Sequence, residues 1–138
     1  MRQQTKTLIN LKTRNMMSRD DIVVKHKNVE KANSQKNPFA SIEEMFGKYD
    51  NGDDFKVELK CFHQKKMNKG DIKWCFKLAE RNVGSYYKSC ALGWQPKVKQ
   101  NDLNKSWARY LLAYQQNKLV AYAMFRFDMD YGRSTLYW

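Results

Sequence analysis

At 138 residues the chain has room for one domain with a real core, and composition gives no cause to divide it further. Twenty-six Lys and Arg against fourteen Asp and Glu give a formal charge of +12. That balance favours phosphate-bearing or acidic partners, although a lysine-rich surface that meets only solvent explains it equally well. Cys61, Cys75 and Cys90 are odd in number and lack a CxxC spacing, which argues against a disulfide framework or a zinc ribbon. Cys61 and His63 have no second ligand pair, so the thiols read as packing groups of a reduced intracellular protein. No apolar run reaches transmembrane length and the start has no signal-peptide core, so no membrane is expected among the partners.

From the amino end, Met1 to Asn37 is polar and basic, and Leu8, Ile9 and Leu11 set up no sustained period. Residues 1–36 therefore read as a partly disordered extension that could serve as a nuclear address or nucleic-acid tether. Within it, Ser18-Arg19-Asp20-Asp21 caps a helix over Ile22 to Ala32 whose thin stripe (Ile22, Val23, Val29, Ala32) predicts peripheral packing. Asn37-Pro38 breaks that helix. Phe39 to Tyr49 holds a short amphipathic turn, with Ser41 and Glu44 spaced as a capping box and Ile42, Met45 and Phe46 on one side. Asp50-Asn51-Gly52-Asp53 is a turn signal, and Phe55 to Phe62 alternates as a half-buried strand.

A basic loop through Gly70 leads to the best helix in the chain. It opens at Asp71, and Ile72, Cys75, Phe76, Ala79, Val83, Tyr86, Tyr87 and Cys90 recur at helical spacing. Gly84 predicts two helical pieces rather than one rod. After Leu92-Gly93-Trp94-Gln95-Pro96, a polar lysine-containing loop is expected up to Trp107. Next comes a hairpin with arms Trp107–Tyr114 and Leu119–Met129 around the loop 115–118. Alternation puts Phe125, Phe127 and Met129 on one side, expected to face the core, and Arg126, Asp128 and Asp130 on the other. The two Asp side chains then lie about 6–7 Å apart as an acidic ledge suited to a cationic substrate. Plain surface charges at a strand end would look the same. Trp94 and Trp107 read as packing anchors, and no nucleophile elbow is present.

Several of these pieces, in this order, resemble the amino-terminal part of the histone-specific N-alpha-acetyltransferases of the NatD type, members of the GNAT superfamily. They are Asn37-Pro38-Phe39, Lys48-Tyr49-Asp50, the helix around Trp74, Phe76 and Leu78, Gly93-Trp94, and Phe125-Arg126-Phe127-Asp128 with Leu136-Tyr137. The likeness runs from about Val29 to the last residue, Trp138. It implies an α+β or α/β fold, with a GNAT-like mixed sheet and flanking helices truncated after about the fourth strand. Residues 37–138 would be the amino-terminal half of that domain, and the strand at Leu136 would be left with an open edge.

The resemblance also implies acetyl transfer from acetyl-CoA to the α-amino group of histone tails beginning Ser-Gly-Arg-Gly, in nucleus and cytoplasm. Tyr87, Asp128, Asp130 and Tyr137 match the family's substrate-binding positions, Asp130 standing where the family has a glutamate. Leu92 stands where the family has a tryptophan. An α-amino group, with a pKa of about 7.7–8 against about 10.4 for lysine, releases its proton readily near neutrality. A carboxylate can hold the amine and the following arginine while a base removes that proton. The sequence contains neither the family's Tyr-Glu pair, whose glutamate is the expected base, nor its Arg/Gln-x-x-Gly-x-Gly/Ala turn for the pyrophosphate of acetyl-CoA. Both are expected beyond Trp138. No catalytic or acetyl-CoA-binding residue is therefore assigned, and these residues alone are expected to bind acetyl-CoA poorly. The rival reading is a non-enzymatic basic module that contacts nucleic acid or nucleosomes through its lysine-rich surface.

Overall fold

The computed structural model describes residues 18–50, 52 and 55–138. The expectations for Leu8, Ile9 and Leu11, and for Asn51 and Asp53 of the turn, lie outside these residues. Helix α1 (Arg19–Ser34) starts at the expected cap: the Ser18 hydroxyl accepts from the Asp21 backbone N–H at 3.1 Å, and Asp20 and Asp21 complement the helix amino end. None of its residues is buried, in keeping with the thin stripe.

Helix α2 (Glu43–Phe46) is a single turn. The Ser41–Glu44 box does not form there, because the helix starts two residues after Ser41, with Ile42 at the cap position and no side-chain bond. Gly47 follows so tightly that any Cβ would strike the Glu43 carbonyl. Directly after it runs β1 (Lys48–Asp50), three exposed residues that carry no sequence signal of a strand.

The remaining strands are β2 (Lys56–His63), β3 (Arg109–Gln115), β4 (Lys118–Asp130) and β5 (Arg133–Tyr137), in the spatial order β1-β2-β3-β4-β5. Every neighbouring pair is antiparallel, and the sheet curls into a half-barrel. The fold is thus α+β, and the expected mixed sheet is not what forms. The physical reason lies in the connections: β3–β4 and β4–β5 are two-residue turns, and the long excursion between β2 and β3 returns antiparallel. Five described strands replace the expected four because β1 joins the edge. At the other edge β5 pairs only with β4 among the described residues, and Trp138 directly after it is 96% exposed.

The excursion between β2 and β3 contains α3 (Lys69–Lys88) and α4 (Pro96–Leu103). Helix α3 is one rod. Gly84 does not split it, because the glycine is buried beneath Trp94, whose ring carbons lie 3.8 Å from where a Cβ would stand. Packing there outweighs the helix-propensity cost of glycine, about 1 kcal/mol. Helix α4 occupies what the sequence presented as loop. Its Pro96 suits a first helical turn, but only Leu103 is buried, so no apolar period announces it. Between β3 and β4 the turn is just Gln116-Asn117, both left-handed at φ 48° and 61°, and Gln115 pairs with Lys118. The expected four-residue loop is a two-residue hairpin with the twist-matched primed geometry.

Cys75, Leu103, Ala108, Tyr110 and Leu112 form the fully buried core, with Ile72, Phe76, Tyr122 and Met124 packed against them. The Tyr110 hydroxyl donates to the Leu103 carbonyl at 2.5 Å and ties α4 to the sheet. Tyr122 and Met124 have the same alternation as Arg126, Asp128 and Asp130. The larger core therefore lies on the ledge side of the sheet, not on the side of Phe125, Phe127 and Met129. Those three are half-buried on the side that α1 approaches. Arg109, opposite Phe125 in register, donates to the Asn33 carbonyl at 2.7 Å, and Ser134, opposite Met129, donates to the Lys25 carbonyl at 3.2 Å.

Candidate substrate-amine site

Where β4 outruns the helical layer, its core-facing side changes from Tyr122 and Met124 to Arg126, Asp128 and Asp130. The β5 register sets Tyr137 opposite Arg126, Thr135 opposite Asp128 and Arg133 opposite Asp130, so all six residues share this side. The turn that returns β5 carries left-handed Tyr131 and Gly132, at φ 45° and 75°.

Arg126 lies at the centre. Its guanidinium carbon is 4.9 Å from the Trp107 ring centre and 4.8 Å from that of Tyr137, and its Nη2 is 3.4 Å from Asp128 Oδ2. The other Asp128 oxygen accepts from the Met129 backbone N–H at 2.8 Å, which fixes the carboxylate's direction. The Tyr137 phenol is pushed above its ordinary range by partial desolvation, then by a hydrogen bond to Asp130 and that carboxylate's charge, with Arg126 acting in the opposite sense. Near neutrality the phenol therefore stays protonated, a donor available to Asp130.

The ledge is less acidic than the two aspartates alone imply. Arg126 partly neutralises Asp128. Arg133 faces Asp130 in register, yet no ion pair joins them among the described residues. Asp130 is thus the carboxylate better able to accept an external cation, and a cation at Asp128 must share it with Arg126.

Of the residues expected to bind substrate, Asp128, Asp130 and Tyr137 come together. Tyr87 has other ring neighbours: its ring is 6.1 Å from Trp94, which in turn lies 6.1 Å from Phe76 and donates to Glu80 at 3.3 Å. Among the described residues no hydrogen bond or ring contact links Tyr87 to the ledge. Trp107 is the ledge residue that sequence reasoning missed. It reads as a packing anchor, and the only signal was its place just before the strand that pairs with β4. Trp138 follows Tyr137 but adds nothing to the ledge. It stands one residue past β5, out of phase with the ledge side, and is almost wholly exposed. No described residue is assigned the role of general base.

Among the described residues there is no second centre of this kind. Burial first, and then the Asp71 charge, raises the Cys75 thiol to about 12, and burial likewise raises Cys61, so neither is an activated nucleophile. Among the described residues no group of three or more His, Cys, Asp or Glu could hold a metal ion. Nor do they fit the pyrophosphate of acetyl-CoA through a glycine turn at a helix start. Ser18 and Asn68 side chains cap α1 and α3, and α4 begins at Pro96, which has no N–H. No helix among the described residues is long and apolar enough to cross a membrane. No protein-family model matches the chain.

Proposed function

We propose that the chain acts in N-alpha-acetylation of the NatD type, its β4–β5 ledge holding a cationic protein amino terminus of the Ser-Gly-Arg-Gly kind for acetyl transfer from acetyl-CoA. The observation that carries this reading is the convergence of Asp128, Asp130 and Tyr137 on one half-buried side of a strand end. Those residues belong to the stretch that resembles the family.

In this reading the chain's own residues bind and orient. Asp128 and Asp130 together take the α-ammonium group and the arginine side chain of the peptide start. Charge-assisted hydrogen bonds of this type are short and directional. Tyr137 lines the same groove and, as a neutral donor, keeps Asp130 in place. Acetyl-CoA supplies the acyl group, and no described residue is assigned its binding or the removal of the amine proton.

The test is peptide binding measured by fluorescence anisotropy, with Asp128→Asn and Asp130→Asn compared to the parent chain. A charge-assisted hydrogen bond contributes about 1.5–3 kcal/mol, and half-exposure places each substitution near the lower figure, about a tenfold loss. Unchanged affinity in both variants would remove the ledge from the reading. Mass spectrometry of the peptide after incubation with acetyl-CoA reports transfer separately from binding.

A further inference from the structure

Helix α3 carries a row of cations that neither the core nor the ledge uses. Lys69, Lys73, Lys77 and Arg81 recur every fourth residue, about 6 Å apart along one side of the helix, and Lys88 continues the same side. All five are exposed, and none forms an ion pair with a described residue. The two carboxylates of α3 have other partners: Asp71 accepts from the Asn68 amide at 2.6 Å, and Glu80 accepts from the Trp94 indole. Like charges four residues apart weaken an isolated helix by a few tenths of a kcal/mol per pair, so helix stability does not explain the row.

Beside its first two lysines a groove of about 330 Å³ separates α3 from α4, lined by Lys69, Lys73, Ile72, Phe76, Gln100 and Asn104 among others. From Phe76 a chain of rings continues through Trp94 to Tyr87 in 6.1 Å steps, and Tyr87 is exposed. Phe76 and Trp94 are half-buried. Cations in file beside aromatic rings are the two components with which proteins hold unpaired strands, charge following the phosphates and rings stacking on bases. A duplex offers phosphates but keeps its base faces stacked, and leaves the rings unused.

We propose that this side of α3, with the groove to α4, binds a single-stranded nucleic acid, its phosphodiester backbone along Lys69 to Arg81 and its bases toward Phe76, Trp94 and Tyr87. The surface shares no residue with the ledge, and the proposal stands whether or not the chain acts on protein amino termini.

The test is anisotropy with labelled single-stranded RNA and DNA of about 20 nucleotides, and with the corresponding duplex, between about 50 and 300 mM salt. The full chain is compared with K73Q/K77Q/R81Q and with the charge-matched control K27Q/K36Q/K118Q. All six positions are exposed, and circular dichroism verifies folding. Loss of three phosphate contacts should flatten the log–log salt dependence by about 2 and weaken binding on the order of 100-fold at 0.1 M salt, with the control changing far less. Single strands should bind more tightly than duplex. Equal losses in the two triple variants, no loss in the α3 variant, or a preference for duplex would each overturn the proposal. Whether RNA or DNA binds better identifies the strand that the surface prefers.

Discussion

Replacing Arg126 by glutamine should make the protein less stable and the ledge a better cation site at once. The guanidinium packs 4.9 and 4.8 Å from the centres of the Trp107 and Tyr137 rings. At partly exposed sites each such contact contributes about 0.5–1 kcal/mol, so the pair amounts to about 1–2 kcal/mol. The 3.4 Å ion pair with Asp128 adds little, because the two side chains are 35% and 47% exposed and water screens them. In the other direction, Arg126 repels any cation brought to Asp128 or Asp130. Over about 6 Å that repulsion is about 0.7 kcal/mol in water and about 2.8 kcal/mol at an effective dielectric of 20.

The exposure of the pair places the repulsion near the lower value, so Arg126→Gln should tighten binding of a Ser-Gly-Arg-Gly peptide about threefold to fivefold. The gain should shrink as salt is added. Urea unfolding followed by tryptophan fluorescence, with peptide titration at two salt concentrations, measures both effects. Unchanged stability would mean that the two rings do not hold the guanidinium. Weakened peptide binding would mean that Arg126 positions Asp128 rather than competing for it, and would refute the electrostatic reasoning.

Tyr110→Phe removes a buried hydroxyl and leaves the Leu103 carbonyl without its donor, and urea unfolding should show a loss of about 1–3 kcal/mol. Changing Gln116-Asn117 to Asn-Gly relieves two left-handed residues, and the urea midpoint should rise by the equivalent of about 1 kcal/mol without a change in slope. Burial raises Cys75 from 9.0, and Tyr122 from 10.0, to about 12, so the unfolded chain gives up these protons at lower pH than the folded one. Their contribution is complete below about pH 9 and is lost as pH rises toward 12; a urea midpoint that stays level across that window would contradict it. A thiol-reactive disulfide reagent should label exposed Cys90 first, half-buried Cys61 more slowly, and Cys75 only on unfolding.

The elements legible in the sequence were those whose signal is local. Ser18 before two aspartates gave the start of α1, alternation gave β2 and both hairpin arms, and a sustained 3.6-residue period gave α3. Tertiary contacts decided the rest. Trp94 folds over Gly84 and keeps α3 whole, a contact between residues that local propensity cannot register. Helix α4 is held by one buried leucine and by the Tyr110 hydroxyl, neither of which produces a period. The short strand β1 exists only because β2 offers it an edge. Alternation along β4 placed Asp128 and Asp130 correctly together. It could not tell which side of the strand the larger core would cover, because that depends on where α3 lands. Opposing Tyr137 to Arg126, and bringing Trp107 beside it, are likewise consequences of strand pairing.

The ledge is most directly tested by titrating the chain with two versions of one peptide beginning Ser-Gly-Arg-Gly, one with a free amino terminus and one acetylated. If Asp128 and Asp130 hold the terminal ammonium group, the free peptide binds about tenfold more tightly or better, and Asp128→Asn with Asp130→Asn abolishes the difference. Equal affinity for the two peptides would contradict the account.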